Sequence, residues 1–98
     1  MKLPHRLKIG GHVFTIHEEC EGNLEPDAVG KTDWNKSVIT VSKDLAPTHK
    51  LQTLIHETLH AINGELSETD VEFLSQAITQ VIIDNKKTIK TLVLNDMI

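Results

Sequence analysis

Thr48-His49-Lys50-Leu51-Gln52-Thr53-Leu54-Ile55-His56-Glu57-Thr58-Leu59-His60-Ala61-Ile62-Asn63-Gly64 is the stretch that decides the reading of this chain. Leu51, Leu54, Ile55, Leu59 and Ile62 recur at helical spacing, which predicts an amphipathic helix. Thr48 can cap its start, and Gly64 stands where a helix normally stops. Two imidazoles four residues apart, His56 and His60, differ by only about 40° in azimuth and about 6 Å in rise, so one rod can aim both at one point. With the apolar stripe facing inward, they lie roughly 140° from its centre and face a cleft or solvent, not the core.

His56-Glu57-Thr58-Leu59-His60 matches the H-E-x-x-H pattern on the element that pattern requires. Zinc accepts neutral imidazole nitrogens and lowers the pKa of a water bound to it to about 7. Glu57, about 100° round from His56, cannot easily join the same coordination shell. It can take a proton from that water and return it to a leaving amine. A catalytic zinc needs a third protein donor. Cys20 is a remote choice. Glu68, Asp70 and Glu72 follow on the next predicted helix, where Glu68 and Asp70 also serve as favourable negative charge at a helix N-terminus. Glu72 stands past the capping turn on regular helix and is the expected third ligand.

That second helix opens at Ser67-Glu68-Thr69-Asp70, a capping box with Asp in the last place, with Leu66 and Val71 placed as a hydrophobic staple. Its apolar stripe reads Val71, Leu74, Ile78, Val81 and Ile82. Glu72 falls roughly 130° from the centre of that stripe, which would put zinc in a polar cleft between the two helices. Asp84-Asn85 ends or kinks the helix, and Ile89, Leu92 and Val93 then form either a short helix or a strand. Upstream, Leu7 to Ile16 reads as a hairpin about Gly10-Gly11, with Leu7, Ile9, Phe14 and Ile16 on one face. The acidic run from Glu18 to Pro26, broken by Gly22 and Asn23, suits a solvated surface loop. Val29 to Trp34, the turn Asn35-Lys36 and Ser37 to Ser42 predict two further strands. The expected fold is α+β: one domain over residues 1–98, a small N-terminal antiparallel sheet packed on two helices.

His56-Glu57-x-x-His60 followed by an acidic residue on the next helix resembles the Glu-zincin metallopeptidases, and in brevity the chain is similar to the minimal zincin-like proteins of phages and bacteria. The likeness runs from the strand Val38 to Val41 through about Asn85. It implies a zincin-like fold, one zinc ion on His56, His60 and Glu72, Glu57 as catalytic base, and a peptide or protein substrate that can pair with the strand Val38 to Val41. The chain departs from larger zinc peptidases in having no Tyr, the residue that commonly stabilises the oxyanion. His5, His12, His17 and His49 are the available substitutes, and Trp34 could border a groove.

With 98 residues there is room for one domain. The formal net charge of −4 argues against nucleic acid, because phosphates call for clustered Lys and Arg. Lys86, Lys87 and Lys90 read as solvated charge. No window is apolar enough for a membrane span or signal peptide, and the single cysteine rules out an internal disulfide; the expectation is a cytoplasmic protein. Two other readings fit the same residues: a non-catalytic, zinc-stabilised protein-binding module, and a metal-free interaction domain.

Overall fold

A computed structural model describes residues 2–20 and 23–95; Gly22, expected in the acidic loop, lies outside them. The first hairpin forms as its glycines require. Strands β1 (Arg6–Ile9) and β2 (His12–Glu19) pair antiparallel, Ile9 opposite His12 and Leu7 opposite Phe14. Gly10 and Gly11 take φ of 56° and 85°, the doubly left-handed backbone of a type I′ turn. Ile9, Phe14 and Ile16 are buried, with Leu7 packed against them. The strand runs on to Glu19, so the start of the acidic run is sheet and not loop. Its acids are paired as well: Lys50 Nζ lies 2.7 Å from Glu18. Hydrogen bonds from Asn23, His17 and the Cys20 N–H hold the Glu19 carboxyl down at about 2.

The sheet is mixed, which corrects the antiparallel expectation. Its order is β1-β2-β4-β3, where β3 is Gly30–Asp33 and β4 is Val38–Ser42. β3 and β4 form an antiparallel hairpin, but β4 inserts beside β2 and runs parallel to it, Ile16 opposite Ile39. Burial explains the choice. Ile39 and Val41 are fully buried and fill the interior position, whereas Gly-Lys-Thr-Asp tolerates the edge. β4 therefore has no free edge for a peptide, and the expected pairing with Val38 to Val41 cannot occur there; the edge strands are β1 and β3, and β3 is the one beside α1.

Three helices follow, α1 (Pro47–Ile62), α2 (Glu68–Asp84) and α3 (Lys86–Leu94). α1 opens on Pro47 after Ala46, which makes no side-chain cap; Thr48 lies inside the first turn and is not the cap, because proline's fixed φ starts the helix one residue earlier. α2 is capped as expected, Ser67 Oγ accepting from the Asp70 N–H at 3.0 Å. α3 resolves the terminal alternative in favour of helix, and none of its residues is buried.

The inward faces differ from the periodicity reading. α1 buries Thr53, Leu54 and Glu57 and leaves Ile62 exposed. α2 buries Val71, Ser75 and Thr79 against α1, turning Leu74, Ile78 and Val81 outward. The two hydroxyls are cheap to bury because each is satisfied within its own helix: Ser75 donates to the Glu72 carbonyl at 3.0 Å and Thr79 to the Ser75 carbonyl at 2.6 Å. No helix of the described residues is long and apolar enough to cross a membrane.

Candidate functional site

The site begins with the contact of α1 on the edge strand. At Gly30 a Cβ would lie 2.8 Å from Thr53 Cγ2, 3.0 Å from the Thr40 carbonyl oxygen and 3.1 Å from Glu57 Cγ. Only glycine lets α1 come this close to the sheet. Glu57 is thereby pressed into the interface and is 7% exposed. Its carboxylate Oε1 accepts a hydrogen bond from Thr32 Oγ1 at 2.7 Å, and the same hydroxyl lies 3.0 Å from the Glu57 carbonyl oxygen. Burial pushes the Glu57 carboxyl above its ordinary value. The Thr32 hydrogen bond and the neighbouring His56 and His60 act against that, and Glu68 adds to it.

His56 and His60 extend from the next side of α1 toward the start of α2, half-buried, with ring centroids 4.9 Å apart. Glu68 reaches both: its carboxylate is 3.4 Å from His56 Nε2 and 2.5 Å from His60 Nε2. Glu72 takes the other ring nitrogen of His56, Nδ1, at 3.1 Å. Gln76 holds Glu72 by donating at 3.0 Å. Among the described residues, His56, His60 and Glu68 form a group whose donor atoms all lie within 4.8 Å of one another and which could hold a metal ion. The structure brings His56, Glu57, His60 and Glu72 to one cleft, but the donor group within 4.8 Å contains Glu68 where the sequence reading expected Glu72 as the third ligand.

A cleft of about 420 Å³ opens over these groups, lined also by Asp27 to Lys31, His49, Gln52 and Thr53. Of the four remaining histidines, His49 is the one that lines it. Trp34 does not; it is half exposed and its ring lies close over Gly64, just past the end of α1. Cys20 and Asp70 are exposed, and neither lines the cleft.

Sequence reasoning missed Gly30 and Thr32, and it weighed Glu68 but preferred Glu72. Glu68 and Glu72 stand four apart on one helix face, so that spacing carried a signal that Glu68 shares the site. A glycine inside a predicted strand signals close approach of another backbone or side chain, and Gly30 is such a residue. Thr32 had no signal, because nothing local says which helix residue an edge-strand hydroxyl meets. No protein-family model, curated protein or solved structure matches this chain.

Proposed function

We propose that this protein is a zinc-dependent hydrolase of zincin type, a metallopeptidase in which Glu57 is the general base. The observation that carries the reading is the convergence of His56, His60 and Glu68 donors within 4.8 Å, beside a buried carboxylate one residue along the same helix. Two neutral nitrogens and one carboxylate oxygen fit zinc, and they leave a fourth position open. Bound there, zinc supplies Lewis acidity and makes hydroxide available near neutral pH.

The chain's own residues do the rest. Thr32 occupies Glu57 Oε1 and so fixes the plane of the carboxylate, leaving Oε2 to take a proton from water and pass it to the departing amine. Glu72, on Nδ1 of His56, fixes the tautomer that directs Nε2 into the site. Glu72 is also the ligand the zincin resemblance implies. Affinity separates the roles: loss of a ligand removes far more binding than loss of an orienting carboxylate. A peptide would lie along β3 and the 27–29 segment, its main chain meeting the free edge, and His49, which lines the same cleft, would stabilise the oxyanion.

The test uses untagged protein. Zinc should be present at one ion per chain, and a chelator-sensitive cleavage of denatured protein or a peptide library should disappear in Glu57→Gln while zinc stays. Bound zinc with no cleavage across the library would favour the non-catalytic binding module, and no zinc at all would end the reading.

A further inference from the structure

We propose that the face of the sheet turned away from α1 carries a second binding site, which takes a small anion with Thr40, Lys31 and Lys36 as its donors. Thr40 sits in the inner strand β4, with His17 of β2 and Lys31 of β3 as its register partners. Register partners point to one side of a sheet, and successive residues of a strand alternate. Ile39 is buried in the core and Thr32 bonds to Glu57 of α1. Their sequence neighbours Thr40 and Lys31, with His17, therefore form a row on the opposite face. A cavity of about 220 Å³ opens over that row, lined also by Asn23, Leu24 and Lys36, the last from the turn between β3 and β4.

The floor of the cavity carries the decisive feature. Thr40 is only 5% exposed, yet its hydroxyl has no hydrogen-bond partner among the described residues. Buried hydroxyls normally bond within the protein, as those of Ser75 and Thr79 do. The one other buried threonine without a partner among the described residues, Thr53, lines the cleft beside Glu57. No side-chain oxygen or nitrogen that is shut off from solvent lacks a partner among the described residues, so the Thr40 hydroxyl is reached from the cavity and not sealed in the sheet.

The charges around it divide into engaged and free. Glu19 accepts from the Cys20 N–H at 3.1 Å, from Asn23 Nδ2 at 2.9 Å and from His17 Nε2 at 3.0 Å. Asp33 accepts from the Lys36 N–H at 3.1 Å. The ammonium groups of Lys31 and Lys36 have no partner among the described residues. Two free cations and a hydroxyl able to donate suit a carboxylate or a phosphate. An incoming cation would meet both lysines and a Glu19 whose two oxygens are already bonded. The volume is that of about seven liquid waters, room for inorganic phosphate or a short carboxylate. Because Glu19 and Asp33 offset the two lysines, the dissociation constant should be about 1–10 mM.

Heteronuclear NMR of the full chain, at constant ionic strength, reads a titration with sodium acetate and another with inorganic phosphate, each to about 50 mM. The amides of Thr40 and Lys36, which line this cavity and not the cleft, should shift along one saturable curve with at least one anion. The tighter of the two identifies the ligand class. Thr40→Val removes the hydroxyl, keeps the shape and suits a strand; it should weaken binding about tenfold with an unchanged far-UV spectrum. Lys36→Gln, at an exposed position, should weaken it about fivefold, and it decides alone if Thr40→Val does not fold. Shifts that stay linear with both anions, or that spread evenly over the surface lysines, overturn the site. Wild-type affinity in the folded variants also overturns it.

Discussion

Gly30→Ala adds a single methyl group, yet the structure gives that methyl nowhere to go. Its Cβ would sit 2.8 Å from Thr53 Cγ2 and 3.0 Å from the Thr40 carbonyl oxygen. The second neighbour is backbone in the central strand β4 and cannot rotate away. α1 must therefore lift from the sheet by several tenths of an ångström, or β3 must bow outward. Overpacking of this kind costs about 1–3 kcal/mol. In a domain of this size that lowers the melting temperature by about 5–20 °C. Because Glu57 Cγ is the third neighbour, at 3.1 Å, the shift also moves the proposed base away from Thr32. Turnover should then fall by more than the loss of folded protein explains, with zinc content unchanged. Thermal melts and zinc analysis of Gly30→Ala and of the double variant Gly30→Ala/Thr53→Ser check the argument. The serine removes the closest methyl, so it should recover part of the stability but not all, since the Thr40 carbonyl remains. A Gly30→Ala protein melting within about 2 °C of wild type would refute the close approach of α1 to β3.

Further outcomes follow from the same geometry. Burial raises the Glu57 carboxyl above the 4.5 of a free side chain. Just above that value the folded state keeps a proton that the unfolded chain has released. The metal-free protein should therefore lose stability as pH rises from about 4.5 through the raised folded value, and Glu57→Gln should flatten the slope; denaturant titrations across a pH series decide it. Among the candidate ligands, His56→Ala, His60→Ala and Glu68→Gln should abolish tight zinc binding, whereas Glu72→Gln should weaken it about 10–100-fold, as read by competition with a chelator dye. The reverse order for the two glutamates would exchange their roles. Ser67→Ala removes the hydroxyl that accepts from the Asp70 N–H and should cost about 1 kcal/mol in a urea titration. Ser37 holds φ at 53°, so Ser37→Gly should be neutral or should stabilise by up to about 1 kcal/mol.

The parts legible in the sequence were those set by neighbours along the chain. Gly10-Gly11 determined a hairpin because no other dipeptide takes two positive φ values so easily, and the hairpin in turn placed Ile9, Phe14 and Ile16 on one face. His56, Glu57 and His60 could be placed relative to one another because a helix fixes their angles. The parts that were not legible depend on contacts between distant segments. Antiparallel order was the natural reading of consecutive strands. β4 runs parallel to β2 because Ile39 and Val41 gain more from the sheet interior than the polar β3 would. Thr32 reaches Glu57 across 25 residues of sequence, a separation at which no local pattern operates.

The rotation of α2 joins the site to the exposed surface. Periodicity alone points Leu74, Ile78 and Val81 inward, and hydrophobic burial would favour that orientation if α2 had only to cover α1. But Glu68 and Glu72 lie roughly 130° from that row, and a straight helix cannot turn both sides to the same neighbour. The structure turns the carboxylates to His56 and His60 and fills the contact with Val71, Ser75 and Thr79. Two of these are small hydroxyl side chains that bond to their own helix and allow close packing. Apolar surface left in water by that arrangement, Leu74, Ile78 and Val81, is the cost of bringing the carboxylates to the imidazoles. Any set of substitutions that turned Leu74 and Ile78 onto α1 would carry Glu68 and Glu72 away from His56 and His60 and should abolish zinc binding while improving apolar burial.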